Sequence, residues 1–197
     1  MRLEGKSLKG DFIRFIIPSI VAQWVFALYT MVDGIFVARG VSEVALTAVN
    51  ISMPYVMALY AISILFAVGT STVVAIMLGE KNIKRANEVF TQNIVLLCIL
   101  SIIVTVVVML NLERFADFLG ATAHNREYVL DYLGTLAPFS GLFILAYSFE
   151  TLIKTDGYPK RATIIVTTGS LMNVVLDYFM VMEWDMGIEG AALATGL

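Results

Sequence analysis

The chain has 197 residues, of which 59% are hydrophobic and only 15% are charged, with a mean hydropathy of +0.85 and a net charge of −3. Soluble domains contain roughly 45–50% apolar and about 25% charged residues, so this composition excludes an ordinary soluble domain and indicates an integral membrane protein. The apolar runs are far longer than the roughly 9–11 residues of a barrel strand, which favours helices. We expect the lipid bilayer as the immediate partner and no nucleic acid.

Six helical spans are predicted in chain order, since a span needs about 20 residues at 1.5 Å each. They cover approximately residues 12–38, 50–78, 90–112, 128–154 and 162–182, and a sixth runs from about 188 to 197. A polar loop, Glu113 to Glu127, precedes the fourth span, which Gly134, Pro138 and Gly141 interrupt. The sixth is too short to span. We interpret 1–197 as a single transmembrane lobe whose last helix is truncated, with a short re-entrant tail as the alternative.

The distribution of Lys and Arg predicts the orientation. Ten lie at the N-terminus and in the loops after spans two and four: Arg2, Lys6, Lys9, Arg14, Lys81, Lys84, Arg85, Lys154, Lys160 and Arg161. Three lie on the opposite side: Arg39, Arg114 and Arg126. The positive-inside rule therefore predicts a multi-pass protein of the cell's inner (plasma) membrane with a cytoplasmic N-terminus. Trp184, Tyr128 and Tyr132 are expected to form an aromatic belt at the outer interface.

Three carboxylates, Asp33, Glu150 and Asp177, lie inside the predicted spans. A charge at the bilayer centre costs roughly 2.5–3.5 kcal/mol on insertion scales, so each of these acids is a functional-site hypothesis. Asp33 and Asp177 lie roughly 28 and 24 Å along two outward-going helices, which predicts a shared depth in the outer half. Asn173 is four residues before Asp177 and shares its helix face.

Carboxylate and amide oxygens from two facing helices can hold a proton or a hard cation such as Na⁺. Two close carboxylates in a medium of low dielectric cannot both stay ionised cheaply, because desolvation and repulsion oppose it, and an ion relieves both costs. The sequence thus predicts an ion-coupling site that uses H⁺ or Na⁺ and no other cofactor. The alternative is that both acids cap broken helices or lie in water at the outer boundary.

Glu150 lies nearer the cytoplasmic end and precedes Lys154 by four residues. It is predicted to contact the substrate or a proton. The alternative is that its side chain simply extends to the cytoplasmic surface of the membrane. Together with Glu150, Tyr147 and Gln23 are the candidate substrate contacts. Ten Met and a set of aromatic residues could line a forgiving apolar pocket, although such residues more often pack or face lipid. The aromatic residues are Tyr29, Tyr55, Tyr60, Phe66, Phe139, Phe143, Tyr147 and Phe149.

Three prolines lie within or at the ends of the predicted spans. Pro18, Pro54 and Pro138 each remove a backbone donor and permit bending, which alternating access requires, although static kinks are the commoner outcome.

Short motifs follow one another along the whole chain. They are Val32-Asp33-Gly34-Ile35-Phe36-Val37, Ala45-Leu46-Thr47-Ala48, Gly79-Glu80-Lys81-Asn82, Gly157-Tyr158-Pro159-Lys160, Asn173-Val174-Val175-Leu176-Asp177 and Gly190-Ala191-Ala192-Leu193-Ala194-Thr195. In their order and spacing, the chain resembles the N-terminal half of the multidrug and toxic compound extrusion family. The resemblance implies an all-α fold in which this six-helix bundle is one lobe of a twelve-helix transporter, with a second six-helix lobe as its partner. It also adds Thr195 to Asp33, Asn173 and Asp177 as an ion ligand, for Na⁺ or H⁺.

The leading functional hypothesis is secondary active export of cationic or amphipathic small molecules, including multiple drugs, by antiport against H⁺ or Na⁺. One alternative is a lipid-linked oligosaccharide flippase of a related fold, which the lack of Lys or Arg deep in the spans disfavours. Another is a fragment or scaffold that does not transport. An enzyme is not expected, because the sequence offers no nucleophile–base pair, metal motif or phosphate-binding loop.

Overall fold

The computed structural model describes residues 8–197, apart from the side chains of residues 8–11, 14, 15 and 18. Within that range the chain forms eight α-helices and no strand. The helices are α1 (Leu8–Gly40), α2 (Glu43–Gly79), α3 (Ile83–Leu110), α4 (Leu112–Leu119), α5 (Arg126–Leu136), α6 (Ser140–Thr155), α7 (Pro159–Asp177) and α8 (Gly187–Gly196). A 3₁₀ turn (Ala137–Phe139) joins α5 to α6, and a π-helical turn (Tyr178–Glu183) extends α7.

Five segments of the described part are long and apolar enough to cross a membrane. They are Ser19–Gly40, Glu43–Gly79, Ile83–Leu110, Arg126–Thr155 and Pro159–Glu183. The shorter α8 corresponds to the sixth predicted helix. The predicted all-α membrane fold is therefore confirmed.

Side-chain caps fix where two of the long helices begin. Ser42 Oγ accepts a hydrogen bond from the Ala45 backbone N–H at 3.0 Å, so α2 begins at Glu43 rather than near the predicted residue 50. Asn82 Oδ1 accepts one from the Arg85 N–H at 3.1 Å and starts α3. Such caps satisfy backbone donors that a helix start leaves without partners.

The predicted polar loop between spans three and four is wrong in its first half, which forms α4. Buried Ala116 and three partly buried residues, Leu112, Phe115 and Leu119, recur at helical spacing and cover the core. Arg126 Nε donates to Asp117 Oδ1 at 3.0 Å and ties this helix to α5. That hydrogen bond lowers the pKa of the exposed Asp117 carboxyl. The charged residues of α4 made the segment resemble a loop in the sequence, although it forms a helix that packs on the bundle.

The core is concentrated at one end of the bundle, the end formed by α4, the turn at Val41 and Ser42, and the turn after Glu183; we call it the α4 end. α1 packs on α7, α2 packs on α6 and α3, and α5 packs on α8. Buried core residues reach from this end to the middle of the bundle: Val37, Ala45, Ala48, Val49, Tyr55, Val56, Leu59, Leu97, Val108, Ala116, Val129, Tyr132, Leu133, Leu136, Ala137, Ile144, Val181, Ile188, Ala191 and Ala192.

Hydrogen bonds between helices tie α2 and α3 to the fourth span. Ser63 Oγ donates to the Ile144 carbonyl at 2.6 Å, and Asn93 Nδ2 donates to Ser148 Oγ at 3.2 Å. Bonds of this kind contribute about 0.6 kcal/mol each between membrane helices, so they set register more than overall stability.

The three prolines differ in their effect on the helices. The 3₁₀ turn interrupts the fourth span at Pro138, as its sequence predicts. α2 instead continues through Pro54 as one helix. The side chain of Pro18 lies outside the described residues.

Candidate functional site

The packing of α1 on α7 brings Asp33 and Asp177 together near the α4 end. Asp33 is 7% exposed and Asp177 is 0% exposed, and the two side chains interact electrostatically. Asn173 lies one turn before Asp177 and is 8% exposed. Neither acid faces bulk solvent, so the alternative of two acids in water at the boundary does not describe this arrangement.

Thr195 reaches the same region because α8 approaches its neighbours closely. A Cβ on Gly190 would lie 3.0 Å from the Met180 carbonyl oxygen in the π-helical turn. A Cβ on Gly196 would lie 2.6 Å from Cγ of Phe139. Only glycine permits these contacts. They seat α8 between the π-helical turn and the 3₁₀ turn, and the Thr195 hydroxyl is buried.

We call these four side chains the acidic cluster: Asp33, Asn173, Asp177 and Thr195. All four contain buried polar atoms without a hydrogen-bond partner in the described part of the chain. Among the described residues, several of their buried polar atoms have no hydrogen-bond partner: Asp33 Oδ1, Asn173 Oδ1 and Nδ2, Asp177 Oδ1 and Oδ2, and Thr195 Oγ1. A buried polar group without a partner costs roughly 1–3 kcal/mol, and a charged one costs more. Native interiors rarely contain such a concentration, so the acidic cluster is a candidate site for a ligand.

The donor set of the acidic cluster fits a proton or a small hard cation, because it consists of carboxylate, amide and hydroxyl oxygens. No group of three or more His, Cys, Asp or Glu side chains in residues 8–197 could hold a metal ion. The cluster has two carboxylates, and a monovalent ion would balance one of them.

Tyr132 is a residue of this site that the sequence analysis misplaced. The prediction of an interface belt is wrong for it, because it is 3% exposed and interacts electrostatically with Asp33 and Asp177. It lies beside Thr195, although Thr195 Oγ1 makes no hydrogen bond of ordinary geometry. The burial arises from packing. Tyr132 lies on the buried face of α5, which packs on α8 and α2.

The helix that carries Asp177 changes type at that residue. α7 ends at Asp177, and in the π-helical turn that follows the Trp184 N–H donates to the Phe179 carbonyl at 2.8 Å. π-helical turns are rare and occur frequently at functional sites. The wider turn carries Met180, whose carbonyl oxygen lies close to Gly190 of α8.

Glu150 has a different environment, because it is paired. Lys154 Nζ donates to Glu150 Oε1 at 2.6 Å, and the two side chains are 26% and 19% exposed, respectively. Both belong to α6, one turn apart, near the end of the bundle opposite to α4. The structure therefore does not place Glu150 in the acidic cluster.

Five aromatic rings from α1, α2 and α6 contact one another and form what we call the aromatic cluster: Phe26, Tyr29, Tyr60, Phe143 and Tyr147. Tyr60 is its centre, with ring centroids 6.1 Å from Phe26 and 6.4 Å from both Phe143 and Tyr147. Tyr60 also interacts electrostatically with Glu150.

The other candidate contacts have no described contact with the aromatic cluster. The Gln23 side chain is exposed, and no described contact joins it to the aromatic cluster. Tyr55 packs against Phe115 and Phe149 against Phe90, so these aromatic residues belong to helix packing. Of the three predicted substrate contacts, the structure brings Glu150 and Tyr147 together.

A bundle of apolar helices long enough to cross a membrane defines the class of multi-pass membrane proteins, and buried acids inside such helices are functional-site candidates. Comparison with known proteins identifies the family: the MatE family model matches residues 18–179, and the chain belongs to this family. The resemblance stated from the motifs is therefore confirmed.

Two relatives are bacterial proteins named multidrug export protein MepA. The one from Staphylococcus saprophyticus is 23% identical over 194 residues, which is 98% of this chain and 43% of the relative. The one from Staphylococcus aureus is 23% identical over 185 residues, covering 94% and 41% of the two chains. The chain thus spans less than half the length of these relatives. Their names describe transporters, which confirms the expectation that the family is not one of enzymes.

Solved structures agree on the fold. An outward-facing multidrug resistance MATE family transporter of the MOP superfamily is 26% identical with a TM-score of 0.87, over 94% of this chain and 41% of that one. MATE in the bent conformation gives the same identity and TM-score, over 95% and 42%. The six-helix bundle therefore matches a part, and less than half, of each solved transporter.

Proposed function

We propose that the chain is one lobe of a secondary active exporter that moves cationic or amphipathic small molecules, including drugs, in exchange for H⁺ or Na⁺. The observation that carries this proposal is the acidic cluster, in which three helices bring together four polar side chains, and several of their buried polar atoms have no partner among the described residues. Relatives named as multidrug export proteins support the export of drugs.

The acidic cluster would act as the ion-coupling site. Asp33 and Asp177 supply charge, Asn173 and Thr195 supply neutral oxygens, and the bound ion is either a proton or Na⁺. Occupancy changes the charge of a site formed by α1, α7 and α8. An ion can shift a conformational equilibrium only by its different affinity for the two states, so movement of these three helices relative to one another is what the ion would drive.

The aromatic cluster and Glu150 would contact the substrate. Ring faces attract organic cations, and Tyr60 and Tyr147 supply such faces beside a carboxylate. This pairing of apolar surface with one negative group suits molecules that are both hydrophobic and positively charged. Tyr147 and Glu150 therefore remain our proposed contacts, whereas Gln23 has less support because its side chain is exposed and no described contact joins it to the rings.

Location, orientation and assembly follow from charge and length. The excess of Lys and Arg at the N-terminus and in the turns that end α2 and α6 supports a cytoplasmic N-terminus in the cell's plasma membrane. Because the chain spans about 43% of the MepA length, we propose that a second six-helix lobe completes the transporter.

The test is ion-driven efflux by the complete gene product in membrane vesicles. Asp33→Asn and Asp177→Asn should each abolish efflux driven by a pH or Na⁺ gradient while the protein is still inserted, because an amide cannot take up the coupling charge. Asp156→Asn, which changes an exposed acid in the turn after α6, is the matched control and should retain efflux.

Undiminished gradient-driven efflux by both variants would refute the ion-site assignment. A wild-type protein that inserts but moves no cationic dye under either gradient would instead favour the non-transporting alternative.

A further inference from the structure

The Glu150 carboxylate is paired with a cation from its own chain, the ammonium of Lys154. Lys154 lies one helical turn further along α6 and donates to Glu150 Oε1 at 2.6 Å, and both side chains are partly buried. Pairs of this spacing on exposed helices contribute only about 0.2–0.5 kcal/mol. Withdrawal from water strengthens the attraction between charges, so this pair is held more firmly than one on a solvated helix.

The pair lies beside the aromatic cluster. Tyr60 interacts with Glu150, and Tyr147 is three residues before Glu150 on the same helix and 6.4 Å from Tyr60 between ring centroids. A cation that sits on these rings comes within reach of the Glu150 carboxylate. It therefore meets a carboxylate that already has a positive partner.

We propose that Lys154 is a specificity-determining residue: its ammonium occupies Glu150 in place of a cationic substrate, and an organic cation binds only by displacing it. The inference rests on the proposed function, since it concerns the substrate contacts of that function. Its physical basis is competition, because one carboxylate cannot neutralise two cations, and the second charge adds repulsion between the ammonium and the substrate.

This competition selects among substrates. A cation that also stacks on Tyr60 and Tyr147 gains attraction from the ring faces, and the small Lys154 ammonium, held one turn away, does not share those faces. Small cations without an apolar body gain nothing over Lys154. The tethered cation therefore favours large aromatic cations and excludes simple inorganic ones from Glu150.

The experiment is a double-mutant cycle on ethidium binding, measured by fluorescence anisotropy with the purified complete gene product and no ion gradient. Lys154→Met keeps the length of the side chain and removes its charge, so ethidium should bind about tenfold more tightly, within the usual range of coupling between sites. Glu150→Gln should weaken binding. In the Glu150→Gln background, Lys154→Met should give no further tightening, because the contested carboxylate is absent.

Lys160→Met is the matched control, since it removes an exposed lysine in the first turn of α7 and should leave ethidium affinity unchanged. Equal or weaker binding by Lys154→Met overturns the inference. If Lys154→Met tightens ethidium binding equally in the wild-type and Glu150→Gln backgrounds, the inference is also overturned, because the gain would then come from the overall loss of a positive charge. Absence of ethidium binding by the wild-type protein and every variant contradicts the substrate class of the proposed function itself, whereas binding without the predicted coupling leaves that function intact.

Discussion

The acidic cluster and the Glu150–Lys154 pair solve the same physical problem in opposite ways. Both place carboxylates inside helices that are apolar enough to span a membrane. Near the α4 end, Asp33 and Asp177 face each other and several of their oxygens have no partner among the described residues. Near the opposite end, Glu150 has a lysine one turn away.

The difference between the two sites indicates which of them an ion from solution can regulate. A carboxylate with a built-in partner is neutralised whatever the ion concentration, so its environment depends little on ions from solution. Two facing carboxylates without a partner are satisfied only by something that arrives from outside. The region without a partner is therefore the one suited to respond to an ion gradient, and the paired region is suited to respond to a competing cation.

The largest expected effect comes from giving the acidic cluster the kind of partner that Glu150 has. Asn173→Lys places an ammonium one turn from Asp177 on the same helix face. It should abolish ion-driven efflux, and it should also abolish the rise in melting temperature that we expect Na⁺ or mild acid to give the wild-type protein, because a fixed ammonium then takes the place of the arriving ion. The measurements are vesicle efflux and thermal unfolding with and without Na⁺.

Asn173→Ala is the companion variant, because it removes the amide oxygen without adding charge. It should weaken the response to ions while keeping it detectable. If Asn173→Lys is inserted and still responds to ions as the wild type does, the acidic cluster is not where the ion acts.

A smaller effect should come from moving α8 without touching any charge. Gly190→Ala places a methyl group 3.0 Å from the Met180 carbonyl oxygen, and this backbone atom cannot rotate away as a flexible side chain would. α8 must then shift, and overpacking of this kind costs typically 1–3 kcal/mol. We expect a few-fold loss of ion affinity, measured as the ion concentration that gives half-maximal stabilisation, and unchanged ethidium binding at the distant Glu150.

Gly169→Ala is the control for that variant, since a Cβ there meets no atom within 4 Å. It should leave ion affinity unchanged and stabilise α7 slightly, because alanine loses less backbone freedom than glycine. A loss of ion affinity as large for Gly169→Ala as for Gly190→Ala would show that the close contact of α8 is irrelevant to the site.

How far the sequence could predict this arrangement depended on the kind of signal. Asp33, Asn173 and Asp177 were found from residue type and from depth along helices of known rise, because charge in an apolar run is rare. Thr195 came from the motif resemblance alone. A hydroxyl in an apolar helix is ordinary, and its burial depends on the contacts of Gly190 and Gly196 with other segments.

Helix ends and partners were harder to predict. Tyr132 was misplaced because its burial depends on the packing of α5 against α8 and α2, and α4 was missed because its charges resemble those of a loop. The aromatic cluster joins α1 and α2 to α6, which lies more than 60 residues further along the chain, and sequence spacing carries no information on such contacts. The Glu150–Lys154 pair is local, but whether it lies in water or in the bundle depends on packing.

The smallest expected effect belongs to an ion pair that lies in water. Arg126 pairs with Asp117 at 3.0 Å, and both side chains are substantially exposed, so solvent screens the attraction. Because the pKa of Asp117 is lowered in the folded protein, the pair stabilises it above the ordinary carboxyl value of 3.8, and the stabilisation is lost as the pH falls through the lowered value. Asp117→Asn should therefore lower the melting temperature slightly at neutral pH, and the difference from wild type should vanish at strongly acidic pH. Efflux should not change, and a loss of efflux comparable with that of Asp177→Asn would contradict the distinction between solvated and buried acids on which the comparison depends.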